Sequence, residues 1–357
     1  MAKFHSLKIA DIYKTTKDCS VVTFEVPAEL HNEFQFKQGQ HLTLRSMING
    51  QDVRRSYSLC TSPAENKWQV AVKKITEGVF SSFVNDALKK GDMLEVMPPH
   101  GTFHTELNPA SVKNYIAFAA GSGITPVLSI IKAHLAAEPN STFKLFYLNR
   151  TVKSIIFKEE IEQLKNRYFG RFEIFYFLTQ EHRSIELYNG RFTAEKIQVL
   201  TDKIIDVPNT DDCFICGPEE MIHLLRDELT KAGLPKEKIH YELFNTGLSE
   251  EDKQRISKIV DKKVDGTEVT IIDGGKEFHF VMGEDFDNIL DGALAAGADL
   301  PFACKGGVCS TCRCKVVDGS VEMKLNYSLE EDEIAKNYIL SCQAVPTSKK
   351  VVVDFGI

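Results

Sequence analysis

Hydrophobic and polar positions follow three different rhythms along this chain. From residue 4 to about 106, short runs such as VVTFEV, HLTLRS, RSYSLC and WQVAVKKI alternate apolar and polar positions and are separated by turn residues. Period-two alternation buries one face of each run, and several such runs in series predict an antiparallel β-barrel. One helix is expected inside it, near Ser82 to Lys89.

From about 112 to 243 the rhythm changes. Apolar runs, YIAFAA, FKLFYLN, FEIFYFLT and DCFICG, alternate with helical stretches, PVLSIIKAHLAA, IFKEEIEQLKNRY and MIHLLRDELTKAG. Strands covered on both faces read as unbroken apolar runs, so this part predicts an α/β doubly wound domain with a parallel sheet. The polar stretch NTGLSEEDKQRISKIVDKK lacks a convincing apolar face and reads as a linker with room for a short helix. Beyond it, VTIIDGGKEFHFVM predicts a hairpin turning at Asp273 to Gly275, and DNILDGALAAG a helix stopped by Gly297. With the final KVVVDF these make a small mixed α+β domain. The expected boundaries are 1–108, 109–244, a linker over 245–262, and 263–357.

Composition fits several globular domains: 357 residues, 43% of them hydrophobic and 26% charged. The longest uncharged run, YIAFAAGSGITPVLSII, is shorter than the ~20 residues a membrane span needs and is broken by Gly121, Gly123 and Pro126. The opening residues MAKFHSLKIADIYKTT form no apolar leader, so a reducing cytoplasmic setting with no membrane partner is expected. The net charge of −7 lies wholly in residues 263–357, where 16 acidic residues face 9 basic ones. That excludes nucleic acid as the natural partner and suits a basic protein surface, although an acidic face that aids solubility accounts for it as well.

Nine cysteines in a chain of this kind point first to metal ligands. Cys304, Cys309 and Cys312 form C-x4-C-x2-C, and Cys342 follows far downstream, which is the plant-type [2Fe–2S] ligand pattern. Gly306 and Gly307 are expected to bend the loop so that backbone amides point at the sulfurs. Structural zinc is the main rival, but Cys342 has no second ligand close by to make a hook, and a redox dithiol leaves thiols without a purpose. Cys314 lies two residues further along the strand-like RCKVV and is expected to pack as a small apolar residue.

The stretches DLPFACKGGVCSTCRCKVVDGSVEM, NYSLEEDE and YILSCQ resemble the ferredoxin domain of the reductase components of ring-1,2-phenylacetyl-CoA epoxidases, within the ferredoxin–NADP reductase family. The resemblance covers all three segments in the order flavin barrel, nucleotide domain, ferredoxin, and implies a β-grasp fold for the last. It also implies FAD rather than FMN, a pyridine nucleotide, a [2Fe–2S] cluster, and an oxygenase component as electron acceptor, namely a di-iron enzyme that epoxidises phenylacetyl-CoA.

Residue by residue, RSYS resembles the family's flavin motif: Arg55 for the pyrophosphate, Ser56, Tyr57 stacked on the isoalloxazine, Ser58 near flavin N5. In KKITEGVFSSF, Gly78 would turn the chain while Val79, Phe80 and Ser81 present amides to the pyrophosphate at a helix N-terminus, with a simple Ser81 N-cap as the plainer reading. GSGITP supplies Gly121, Gly123, Thr125 and Pro126 between a strand and a helix, and CGPEEM supplies Cys216, Gly217 and Pro218 beside the nicotinamide. The second strand of the nucleotide domain ends with Asn149 and Arg150, with Lys153 beyond, where an NAD site commonly carries an acid; this favours NADPH over NADH. HYELF resembles the family's end to the nucleotide domain, which would put Glu242 and Phe244 near the flavin, or merely ends the sheet. Ser58, Thr125 and Cys216 are thus the catalytic candidates, acting by position. SLEEDE contains Ser328 and Glu331 at capping-box spacing and predicts a helix start. The histidines, including His100, His104 and His279, occur singly and show no ligand spacing. A non-enzymatic redox sensor or zinc protein with a nucleotide-binding fold is the alternative from another class.

Overall fold

The computed structural model describes residues 3–244 and 250–356. The chain divides into two compact units, one holding residues 5–53 and 57–244, the other holding residues 250–356 with Lys3, Phe4 and 54–56.

The chain opens with six antiparallel strands: β1 (His5–Thr16), β2 (Cys19–Glu25), β3 (His41–Ile48), β4 (Gln51–Ser58), β5 (Trp68–Lys73) and β6 (Met93–Val96), ordered β4-β3-β6-β1-β2-β5, all in the first unit but for residues 54–56 of β4. Irregular register at Ile9/Asp11 and Lys14/Thr16 bends the long β1, as bulges do in a curled sheet. Leu7, Ile9, Val22, Phe24, Leu42, Leu44, Val70 and Val72 fill the interior that the alternation predicted. Helix α1 (Val79–Asp86) starts earlier than the expected Ser82, because the Gly78 carbonyl already accepts the Ser82 amide at 2.9 Å. It ends before Lys89, whose amide turns away to the Asp92 carboxylate at 2.8 Å.

The same unit continues with a parallel sheet. Strands β7 (Asn114–Ala120), β8 (Thr142–Asn149), β9 (Phe172–Leu178), β10 (Asp212–Gly217) and β11 (Ile239–Leu243) alternate with α2 (Ile124–Ala137), α3 (Lys158–Arg167), α4 (Ala194–Lys203) and α5 (Glu219–Lys231). The strand order β11-β10-β7-β8-β9 means that the chain leaves β7 in one direction and returns to β10 on its other side. In such sheets ligands bind at the carboxyl ends of the strands flanking that reversal.

Helix α4 is missing from the sequence reading. Only Ile197 and Leu200 are buried on it, too thin a stripe to stand out, and Thr193 caps it by accepting the Lys196 amide at 3.3 Å. Helix α2 is buried along almost its whole length, and its polar residues explain why: Ser129 donates to the Thr61 carbonyl at 2.6 Å and Lys132 to the Cys60 carbonyl at 3.1 Å. Lys132 also pairs with Glu65 at 3.4 Å and with Glu160, the partners a buried cation requires.

In the second unit the polar stretch after β11 folds into α6 (Glu250–Val260), with Ile259 its buried residue; the remainder of the expected linker at 245–249 lies outside the described residues. Strands β12 (Glu268–Asp273) and β13 (Lys276–Val281) form the expected hairpin, with Gly274 and Gly275 at φ 56° and 78°, as a two-residue turn requires. Asn288 caps α7 (Ile289–Ala295) through the Asp291 amide at 2.9 Å, and Gly297, at φ 96°, follows its end. Strands β14 (Arg313–Asp318), β15 (Val321–Met323), β16 (Tyr338–Leu340), β17 (Ala344–Pro346) and β18 (Lys350–Asp354), with α8 (Glu331–Ala335), complete the unit. The main sheet is ordered β13-β12-β18-β14-β16 with β12 and β18 parallel, a β-grasp. The expected Ser328 cap is replaced by Glu330, which makes a capping box with Glu333, while Asn326 accepts the Leu329 amide at 2.9 Å. Among the described residues no helix is long and apolar enough to cross a membrane.

Candidate functional site

At the reversal of the parallel sheet, β7 ends and Gly121 to Gly123 lead directly into α2. Gly121 adopts φ 53°, and the buried Tyr147 hydroxyl fixes it by donating to its carbonyl at 2.9 Å. Gly123 is a matter of space: a Cβ there would strike the Cys216 carbonyl and lie 3.2 Å from the Cys216 sulfur. Gly217 is equally crowded, with the Ala120 Cβ at 3.0 Å from where its own would stand. The two glycine segments therefore let β7 and β10 end side by side, with helix N-termini above them. Thr125 does not offer a free hydroxyl to this cleft, since it donates to the Ser122 carbonyl at 3.0 Å, and Pro126 occupies the first turn of α2, where no amide partner is needed. Pro218 caps α5.

Parallel register sets Cys216 beside Glu242 on β11. Ser58, at the end of β4, donates its hydroxyl to Glu242 Oε2 at 3.3 Å, and His41 Nδ1 on β3 lies 3.9 Å from Glu242 Oε1. Burial pushes the Glu242 carboxyl up to about 8 against the opposing pull of the Ser58 hydrogen bond, so it holds a proton at neutral pH. Burial, then the neighbouring His100, pushes His41 down to about 3, and its Nε2 is enclosed without a hydrogen-bond partner among the described residues. Cys216 is fully buried, and burial with Glu242 alongside raises its thiol well above the usual range. Ser58 and Cys216 thus each meet Glu242, while Phe244 is 40% exposed just past β11. His41 was missed: a lone histidine in a strand carries no spacing signal.

The flavin candidates spread over β4 and α1. Tyr57 is half-buried with its ring 5.8 Å from Phe80, which belongs to the barrel core. Ser56 is half-buried, and exposed Arg55 donates to the Arg54 carbonyl at 2.7 Å. The expected turn at Gly78 is made instead by Glu77, at φ 58°; Gly78 is needed because a Cβ would run into Ile75 and Ser81. Gly78 is also the helix cap, so Ser81 is not; its hydroxyl accepts the Ile75 amide and donates to the Gly78 carbonyl, both at 3.2 Å. The amides of Val79, Phe80 and Ser81 are first-turn groups with no acceptor inside the helix, suited to a pyrophosphate. A half-buried tyrosine face, a hydroxyl, a protonated carboxyl and free helix amides fit a flavin dinucleotide. Lys73, also missed, brings its ammonium 3.8 Å from where a Cβ on Gly121 would stand. At the end of β8, Asn149 is buried with its amide nitrogen unpaired among the described residues, and Arg150 and Lys153 are exposed.

In the second unit the loop from Cys304 to Cys312 turns at Lys305, Gly307 and Ser310, with φ 53°, 76° and 48°. Gly306, expected to bend it, does not take a left-handed conformation; its role is to point its amide at the Cys304 sulfur, 3.3 Å away, where the Val308 and Cys309 amides also point. The four thiols come together in twos. Cys309 hydrogen-bonds Cys304 and, with those amides, holds it down to about 5, while Cys312 does the same to Cys342, which is lowered too. Among the described residues the four sulfurs stand as two pairs and not as one group of three or more side chains. Two sulfur pairs, close enough that Cys309 acts on Cys312 and Cys304 on Cys342, suit a two-iron cluster with four thiolate ligands. Cys314 is 1% exposed in the core of the unit, as expected.

Known proteins agree with this geometry. Residues 6–105 match the oxidoreductase FAD-binding domain family, 118–227 the oxidoreductase NAD-binding domain family, and 271–347 the 2Fe-2S iron-sulfur cluster binding domain family. The chain is 43% identical to one of the subunits of the 1,2-phenylacetyl-CoA epoxidase of Escherichia coli, over 99% of this chain and 98% of that one. It is 33% identical to the ferredoxin reductase component of 3-ketosteroid-9-alpha-monooxygenase from Rhodococcus rhodochrous, over 98% and 96%. In fold it is similar to phthalate dioxygenase reductase, with a TM-score of 0.59, 24% identity, and 99% and 98% of the two chains covered. Three family matches in this order, with similarity running the full length of both relatives, place the chain among the NAD(P)H-dependent flavin and [2Fe–2S] reductases that serve oxygenase systems, a branch of the ferredoxin–NADP reductase family.

Proposed function

We propose that the chain supplies electrons from NADPH to an oxygenase that epoxidises phenylacetyl-CoA. The observation that carries this choice of acceptor is the 43% identity to the Escherichia coli epoxidase protein over 99% of the chain. When bound, the flavin takes up a hydride equivalent from the nucleotide and yields single electrons to the iron–sulfur cluster.

The chain's own residues supply position. Gly121 and Gly123 admit the dinucleotide to the start of α2, and Cys216 gives the nicotinamide an apolar floor between β7 and β10. Ser58 hydrogen-bonds the flavin edge while Glu242, protonated, adds no negative charge beside it. Tyr57 stacks on the ring system, and Arg55 with the amides of Val79, Phe80 and Ser81 holds the pyrophosphate. Arg150 and Lys153 bind a 2′-phosphate beyond Asn149, where an acid would have selected the free hydroxyl of NADH. Cys304, Cys309, Cys312 and Cys342 would hold the iron–sulfur cluster, which would take up and pass on single electrons.

A second reading keeps the chemistry and changes the acceptor, since similarity to the 3-ketosteroid-9-alpha-monooxygenase reductase component also runs the length of the chain. Purified protein should show flavin bands with an iron–sulfur shoulder, bleached by NADPH. Mixed with the epoxidase oxygenase components and phenylacetyl-CoA, it should support substrate-dependent NADPH oxidation and epoxide formation. Equal or faster coupling to a 3-ketosteroid oxygenase would transfer the assignment to that acceptor class, and a colourless zinc-loaded protein would end both readings.

A further inference from the structure

Gln343 directly follows Cys342 and is 5% exposed, so its amide has to find partners inside the protein. Its Nε2 donates to the Lys305 carbonyl at 2.9 Å and lies 3.6 Å from the Cys342 sulfur, within reach of an N–H donor given the larger radius of sulfur. Lys305 is the residue after Cys304. One side-chain amide therefore spans from the loop with three of the cysteines to the segment with the fourth.

The side chain is held in this position from several sides. The Gln343 backbone amide donates to the Leu340 carbonyl at 2.8 Å, and its backbone carbonyl accepts the Lys324 amide at 2.9 Å. Its Cγ packs against Gly307, where an added Cβ would stand 3.2 Å from Gln343 Cγ and 3.1 Å from the Leu325 carbonyl. Gly307 thus leaves the space that Gln343 fills, as well as taking a left-handed turn.

We propose that Gln343 is a positioning residue for the iron–sulfur cluster, fixing the Cys304 loop against Cys342 and donating a hydrogen bond to the Cys342 sulfur that makes the cluster easier to reduce. The inference rests on the reading of these cysteines as iron ligands. Reduction adds a negative charge that is shared by the ligand sulfurs, and a donor aimed at one of them stabilises the reduced state more than the oxidised one. Donors such as the Gly306 amide belong to the loop backbone and survive side-chain substitution, whereas the Gln343 donor is removed by changing one residue.

The test uses the full-length, cluster-loaded protein. Gln343→Met removes both donors at similar length and is expected to keep the two-iron absorption while making one-electron uptake by the cluster about tenfold less favourable, a shift of about 59 mV to more negative potential. In wild-type protein labelled with 15N in glutamine side chains, pulsed electron paramagnetic resonance of the reduced cluster should detect a nitrogen coupling that Gln343→Met lacks. An unchanged potential in a loaded Gln343→Met protein would overturn the proposal. Should that variant fail to load, the labelled wild type decides, and absence of the coupling overturns the proposal there. A wild-type protein without the two-iron spectrum would instead refute the ligand reading.

Discussion

Gly123 and Cys216 pack backbone to backbone, so closely that a single methyl group on Gly123 would collide with the Cys216 carbonyl. Gly123 has ordinary helical dihedrals, φ −60° and ψ −10°, so space and not conformation demands glycine. Gly123→Ala should cost about 1–3 kcal/mol, as overpacking does. It should also raise the KM for the pyridine nucleotide while flavin content stays at the wild-type level. Thermal unfolding and steady-state kinetics check the two halves, and a rise in KM without any loss of stability would show that β7 and β10 part at no cost.

Glu242 gives a dependence on pH with a definite sign. Its carboxyl rises from the usual 4.5 to about 8 in the folded chain, chiefly through burial. Between those values the folded state keeps a proton that the unfolded state has lost, so this group's contribution is fully present below the lower value and is lost as pH rises through about 8. Glu242→Gln, which cannot ionise, should abolish that slope in flavin-free protein and be the more stable form at alkaline pH. Denaturant unfolding across the range measures it. A difference between the two proteins that does not widen with pH would mean Glu242 is ionised at neutrality.

Cys342 and Cys314 separate ligand from filler. Both are buried, at 3% and 1% exposure, yet only Cys342 hydrogen-bonds another cysteine of the set. Cys342→Ser should abolish the two-iron absorption spectrum, and Cys314→Ser should leave it intact with a stability loss of about 1 kcal/mol for a polar group in the core. The reverse result would exchange their roles.

Arg150 and Lys153 bear on the choice of nucleotide. Replacing both with alanine should raise the KM for NADPH about tenfold or more, roughly 1.4 kcal/mol of binding, and change that for NADH little. Equal effects on both nucleotides would leave β8 without a part in discriminating them.

Sequence alone revealed those features that rhythm or spacing encodes. Unbroken apolar runs marked β7 to β10, the glycine pairs marked the turns that end β7 and β12, and the C-x4-C-x2-C spacing with distant Cys342 singled out the thiols that the structure pairs. Features created by tertiary contact stayed hidden. His41 matters only because β3 and β11 bring it to Glu242, and Lys73 only because β5 ends beside Gly121. Helix α4 escaped because two buried residues on ten make no visible stripe, and α6 showed only as room for a short helix in a linker because its polar sequence buries Ile259. The loop at Cys304 to Cys312 carried a subtler error: left-handed turns fall on Lys305 and Ser310, residue types that do not advertise them.

Strand β18 lies between β12 and β14, at the middle of the second unit's main sheet, although residues 350–354 are translated after every other strand in it. Until they leave the ribosome, β13 with β12 and β14 with β16 are separate two-stranded ribbons, each marginal in water. All four paired cysteines precede that strand in the chain, so the sheet that backs them is completed only by residues that follow them. A chain cut before Lys350 would possess every one of these cysteines and still lack the central strand that joins the two ribbons.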